Sequence, residues 1–201
     1  MEYALLGFFA GLSLILVLGA QNIFVIEQGL KKQHIFLVCL ICSVSDLILI
    51  FLGIFLFYYF NQFFNHTVEL ILNILLILFL LHFIYKKLKT HYLEIHFHDE
   101  LTNVSKTNIF IKTLGFTYLN PHVYSDTVFF LGNFSKNYLL NQKIAFGIGA
   151  AIASFLFFFA LGYLSNYLSK YAKSRKIWRF INIFIITFMS ILVLYIIKET
   201  L

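Results

Sequence analysis

Six stretches of this 201-residue chain are each apolar over about the 20 residues that a helix needs to cross the hydrocarbon of a bilayer. They fall at 4–26, 34–60, 67–85, 108–131, 144–164 and 177–197. Runs this long and continuous do not suit an outer-membrane barrel, whose strands alternate over segments of about ten residues. The longest polar stretch between them is 86–107, too little for a soluble catalytic domain. Only 12% of the residues are charged, against about 25% in a soluble domain. The formal net charge of +6 could by itself suit nucleic acid. In so apolar a chain it reads instead as the Lys and Arg that orient helices in a membrane. The expected fold is all-α, a polytopic membrane domain of six transmembrane helices over residues 1–201.

Gly19-Ala20 resembles a signal-peptide cleavage site, but Met1-Glu2-Tyr3 lacks the positive charge that precedes one. The first run is therefore expected to stay as a helix. The loops after runs one, three and five hold Lys31, Lys32, Lys86, Lys87, Lys89, Lys106, Lys170, Lys173, Arg175 and Lys176. The other loops and the C-terminus hold only Lys136, Lys143 and Lys198. The positive-inside rule then puts the odd loops in the cytoplasm and both termini in the periplasm. Lys112 and Arg179, just inside helix ends on the same side, agree.

Two runs are interrupted. Pro121, the single proline, sits in the fourth between Asn120 and His122. Proline removes a backbone donor and clashes with the preceding turn, which in a bilayer is tolerated where the freed groups face a polar cavity. In the first run, Gly19-Ala20-Gln21-Asn22 sets two amides in an apolar helix, and amides facing lipid are costly. Each half of the chain, 4–85 and 108–197, thus opens with an interrupted helix. The second helices share a Ser-to-Gly spacing, Ser45 to Gly53 and Ser154 to Gly162. Three runs per half means the two repeats would be inverted, an arrangement in which the binding site lies at the breaks.

Two acids stand out. Asp46 lies in the middle of run two and Asp126 five residues after Pro121. A carboxylate at the bilayer centre costs roughly 2.5–3.5 kcal/mol, and such groups usually face the bundle interior. No Lys or Arg lies deep in any run to neutralise them. Either they are protonated or they wait for a cationic ligand, and a transporter exchanging protons for a cation would use both states.

The block Gly19-Ala20-Gln21-Asn22-Ile23-Phe24-Val25 with Gln28-Gly29-Leu30 resembles the first helix of the LysE/ArgO basic amino acid exporter family. Ser45-Asp46 fits it, as does the more specific block Leu119-Asn120-Pro121-His122-Val123-Tyr124 with Asp126-Thr127 and Leu131-Gly132. Phe159 to Tyr163 and Trp178-Arg179 are similar too, so the likeness runs from Gly7 to Ile197. The resemblance implies export of L-arginine or L-lysine across the bacterial inner membrane, driven by protons, with no cofactor and no enzymatic step. The wider superfamily exports other amino acids and solutes. Its neutral amino acid branch has a proline-containing motif where this chain has 19–22. The cargo is expected between runs one, two and four. Its carboxylate would meet helix starts near Gln21-Asn22 or Pro121-His122, and its ammonium the amides of Gln21, Asn22 or Asn120. Its side-chain cation would meet Asp46, with Asp126 as second partner or proton carrier, and either acid, Asp46 or Asp126, could hold the coupling proton.

Other features carry less. Cys39 and Cys42 spell C-x-x-C, a reactive dithiol in redox proteins, which leaves a thiol-electron carrier as the rival reading. Both sit in one apolar run and read as small buried residues. His91, His96, His98, Asp99 and Glu100 cluster in the polar loop, but without the usual ligand spacing, so no metal is expected. Glu27 is a candidate gate at the cytoplasmic end of run one, beside Gln28, Lys31, Lys32 and His34. Tyr58, Tyr59, Tyr85 and Trp178 suit the membrane interface. No phosphate-binding loop is present, so ATP drive is not expected.

Overall fold

Leucine, isoleucine and phenylalanine dominate the long runs, and they fold into helices whose backbone hydrogen bonds close within the segment. This is what a chain in hydrocarbon requires. The computed structural model describes residues 1–16, 19–63, 66–92, 105–171 and 175–200. Among these, every regular element is helical: α1 (Glu2–Ile15), α2 (Ala20–Lys31), α3 (Ile35–Phe63), α4 (His66–Tyr92), α5 (Lys106–Tyr118), α6 (Pro121–Tyr124), α7 (Leu131–Ser135), α8 (Leu140–Leu168) and α9 (Arg175–Thr200). A π-helical turn, Ser125–Phe130, joins α6 to α7.

Among the described residues, three helices are long and apolar enough to cross a membrane, over Ile35–Phe57, Leu140–Leu168 and Arg179–Lys198. A fourth span exists if α1 and α2, bent by 81° at their junction, count as one. In α4 the apolar stretch is shorter, Asn73–Tyr85. The fourth predicted run, 108–131, is not one helix, because α5 stops at Tyr118 and the chain restarts at Pro121. His96, His98, Asp99 and Glu100 lie outside the described residues, as do the side chains of His91, Tyr58, Tyr59 and Trp178.

The distribution of polarity is inside out. Leu5, Phe9, Phe36, Ile48, Leu78, Ile152, Phe180 and Leu194 are exposed, whereas Gln21, Asn22, Asp46, Thr113, Thr117, Asn120, Thr127 and Ser154 are buried. Apolar surface on this scale is not sustained in water; against lipid it costs nothing. Helix association in lipid depends on close packing, and small residues allow it. Gly7 and Gly11 seat α1 against Phe146 and Ala150 of α8. Gly29 of α2 meets Gly162 of α8, where an added Cβ would lie 2.6 Å from the Gly162 carbonyl oxygen. Gly132 of α7 meets Gly53 of α3, with the corresponding approach at 2.7 Å. The interrupted segment of each half thus packs glycine to glycine on the second helix of the other half.

A Cβ at Gly53 would also come within 2.6 Å of the Val128 backbone. Gly53→Val is therefore expected to destabilise by about 1–3 kcal/mol, the usual scale of overpacking. Gly19→Ser, where an added Cβ meets nothing within 4 Å and the residue still suits an N-cap, should not destabilise. Thermal unfolding of the two variants in detergent checks the contrast.

Candidate functional site

Both helix breaks are held by asparagines. α1 ends at Ile15, and α2 restarts at Ala20 after an extended Gly19. Gln21 and Asn22 therefore do not interrupt the helix, as the sequence suggested, but form the first turn of α2. Asn22 explains why the break sits earlier: its Nδ2 donates to the Ile15 carbonyl at 2.9 Å, satisfying an acceptor stranded at the end of α1. At the second break Asn120 is extended, the conformation that a following proline imposes. Its Oδ1 accepts from the His122 backbone N–H at 3.1 Å and caps α6. Pro121 occupies the first helical position, where its missing N–H has no partner to lose.

Between the breaks lies a cavity of about 400 Å³, within the range of small-ligand sites. Its polar wall is Gln21 and Asn22 of α2, Asp46 of α3, Asn120 and His122 flanking the second break, and Asp126 and Thr127 of the π turn. Its apolar wall comes from Leu14 and Ile15 of α1, Leu76 and Leu80 of α4, Phe158 of α8, and Leu192, Tyr195 and Ile196 of α9. Among the described residues the lining contains no Lys or Arg. Asp46 is 3% exposed and accepts a hydrogen bond from Ser154 Oγ of α8 at 2.8 Å. Asp46 and Asp126 line the same cavity, with His122 one turn before Asp126. Thr127 Oγ1 donates back to the Val123 carbonyl at 2.6 Å.

One turn beyond the cavity along α2, Phe24 stacks on Phe116 with centroids 4.6 Å apart. Phe79 and Phe83 of α4 meet Phe116 edge-on at 4.9 and 5.2 Å. These rings fill the bundle between the cavity and the Lys31 end of α2.

Of the residues singled out in the sequence, Gln21, Asn22, Asp46, Asn120, His122 and Asp126 share this cavity. Pro121 is buried behind it as the first residue of α6 rather than in the lining. Glu27 is elsewhere: it is 2% exposed, near the end of α2, and paired with Lys31 at 2.8 Å. Cys39 and Cys42 are buried free thiols of α3 outside the cavity lining, and Cys39 donates to the Phe158 carbonyl. No group of three metal-ligating side chains is found among the described residues. The structure adds Thr127 and Tyr195 to the lining and Ser154 as the partner of Asp46.

Residues 12–200 match the family of LysE type translocators. The chain belongs to that family. Among its relatives is an arginine exporter protein ArgO of Klebsiella pneumoniae strain 342, 34% identical over 208 residues that cover 98% of this chain and 94% of the relative. Another, from Salmonella typhimurium, is 33% identical over 209 residues with the same coverage. A third, from Pectobacterium carotovorum, is 33% identical over 184 residues, covering 89% of this chain and 88% of the relative. No solved structure matches the chain. The membership and the apolar helices together make this LysE type translocator a multi-pass membrane protein.

The cap at the second break can be tested directly. Asn120→Ala is expected to cost this translocator about 1 kcal/mol, the usual value of a lost N-cap. Asn120→Ser, which keeps an uncharged acceptor suited to an N-cap, should retain most of it. Melting temperatures of the two variants in detergent, compared with the parental protein, report the difference.

Proposed function

We propose that this translocator exports L-arginine, and L-lysine as a second cargo, from the bacterial cytoplasm by exchange for protons. The observation that carries the reading is the pairing of Asp46 and Asp126 in one cavity whose lining holds no Lys or Arg among the described residues. A bare carboxylate at the membrane centre is costly. An acid neutralised by a proton in one leg of a cycle and by a guanidinium or ammonium in the other is never left bare. That condition couples the two ions without any further device. The names borne by the relatives from Klebsiella, Salmonella and Pectobacterium support arginine as cargo.

The reading takes the chain as six spans in two inverted three-helix repeats, with the odd loops in the cytoplasm of an inner-membrane protein and both termini periplasmic. The reciprocal glycine contacts, Gly29 with Gly162 and Gly132 with Gly53, support the repeat, since inverted halves would dock on each other in equivalent ways. In this orientation the rings around Phe116 close the cytoplasmic side, and cargo enters when they part. Glu27 with Lys31 then forms a gate at the cytoplasmic mouth, where an incoming guanidinium competes with the Lys31 ammonium. A thiol-electron carrier is disfavoured by the burial of Cys39 and Cys42, neither of which lines the cavity.

In proteoliposomes loaded with labelled arginine, Asp46→Asn is expected to lower efflux at least tenfold, a loss of about 1.4 kcal/mol in transition-state terms. External lysine and ornithine should drive counterflow, and a neutral amino acid should not. Efflux from Asp46→Asn at the parental rate would remove the carboxylate from the mechanism.

A further inference from the structure

Among the described residues lining the cavity, His122 is the one that can carry a positive charge. It stands at the second helix break, two residues after the extended Asn120. Its backbone N–H is held by Asn120 Oδ1, which anchors the residue at the cavity wall. Its side chain is exposed there. Asp126 follows four residues later, the spacing at which side chains on one helix face meet. Asp46 of α3 lines the same cavity, buried and bonded to Ser154 Oγ.

The other titratable groups described around this break are phenols. Tyr195 of α9 lines the cavity, and Tyr124 Oη donates to the Tyr118 carbonyl across the break. Phenols are uncharged near neutral pH. Among the described residues, the charges that share the cavity with His122 are therefore Asp46 and Asp126. With the cargo absent, two carboxylates remain in the chamber, and one proton neutralises only one of them. A carboxylate left bare at that depth is costly. Imidazole is the side chain whose charge changes near neutral pH, and it lies one turn from Asp126.

We infer that His122 is an internal stand-in for the cargo: its imidazolium pairs with Asp126 while the cavity is empty and yields that place to the cargo's side-chain cation. The inference deepens the export reading and rests on it. It divides the work between the acids, leaving Asp46 to hold the coupling proton. The charges then balance on both legs. The empty cavity holds a protonated Asp46, an ionised Asp126 and the imidazolium, with no net charge. The loaded cavity holds two ionised acids, the imidazolium and a cargo with a single net positive charge, again with none. One proton therefore moves inward for each cationic amino acid moved outward. Without His122, a second proton would have to settle on Asp126 before the empty cavity could return.

The test separates exchange from net efflux in proteoliposomes loaded with labelled arginine. Exchange against external arginine never requires the empty cavity to return, whereas net efflux does. With the outside near neutral pH, His122→Gln should lower net efflux at least tenfold more than it lowers exchange. Acidifying the outside to about pH 5.5, where a carboxylate more readily takes a proton, should recover most of that difference. His122→Lys, a cation at every pH up to about 10, should restore net efflux without added acid. It should also keep that efflux on the alkaline side, where the parental protein loses its imidazolium as the pH rises. Equal losses of exchange and net efflux in His122→Gln would overturn the inference and leave the export reading standing. So would a loss that external acid does not recover, or a His122→Lys protein no better than His122→Gln. A parental protein that exchanged no arginine would overturn both.

Discussion

A helix that stops inside a membrane strands carbonyls at one end and N–H groups at the next, in a solvent that can satisfy neither. The breaks at Ile15–Ala20 and Tyr118–Pro121 are possible because asparagines answer for them. Asn22 reaches back to the Ile15 carbonyl, and Asn120 reaches forward to the His122 N–H. The cavity lies between these two breaks. The site is therefore not a pocket added to a finished bundle. It is the place where the bundle's backbone could not be closed on itself.

The same constraint organises the contacts around the cavity. Asp46 lies on α3 and Ser154 on α8, 108 residues apart, and one hydrogen bond joins the two halves at the cavity wall. A short distance away, glycines let the interrupted segments approach those same two helices backbone to backbone. Small residues at the crossing points and polar residues at the cavity are the two means by which helices associate without a hydrophobic driving force. The π turn Ser125–Phe130 follows the same logic. Its wider hydrogen-bond register carries Asp126 and Thr127, and such turns recur at functional sites.

Much of this was legible in the chain. Pro121 announces a break because a pyrrolidine cannot sit within a regular helix, and Asp46 announces an interior because a carboxylate cannot face acyl chains. The family likeness rested on the two blocks that become the two breaks. Other features had no local signature. The first break falls a few residues before the amides that pointed to it, since the asparagine acts on a carbonyl seven residues back. Ser154 looks like any small residue of a membrane helix until Asp46 is set beside it. Leu76, Leu80, Leu192 and Ile196 line the cavity with the same side chains that elsewhere meet lipid. The register change at Ser125 involves no residue that a π turn requires.

The central claim is that the two breaks enclose one water-accessible chamber in which the cargo lies. His122, exposed in the cavity wall, provides the most direct reporter. In a protein with Cys39 and Cys42 replaced by alanine, His122→Cys should react with a membrane-impermeant thiol reagent, and saturating arginine should slow that reaction several-fold. Ile48→Cys, on the lipid-facing side of α3, should stay unreactive under the same conditions. An inert cysteine at 122, or one whose labelling arginine does not slow, would contradict the account.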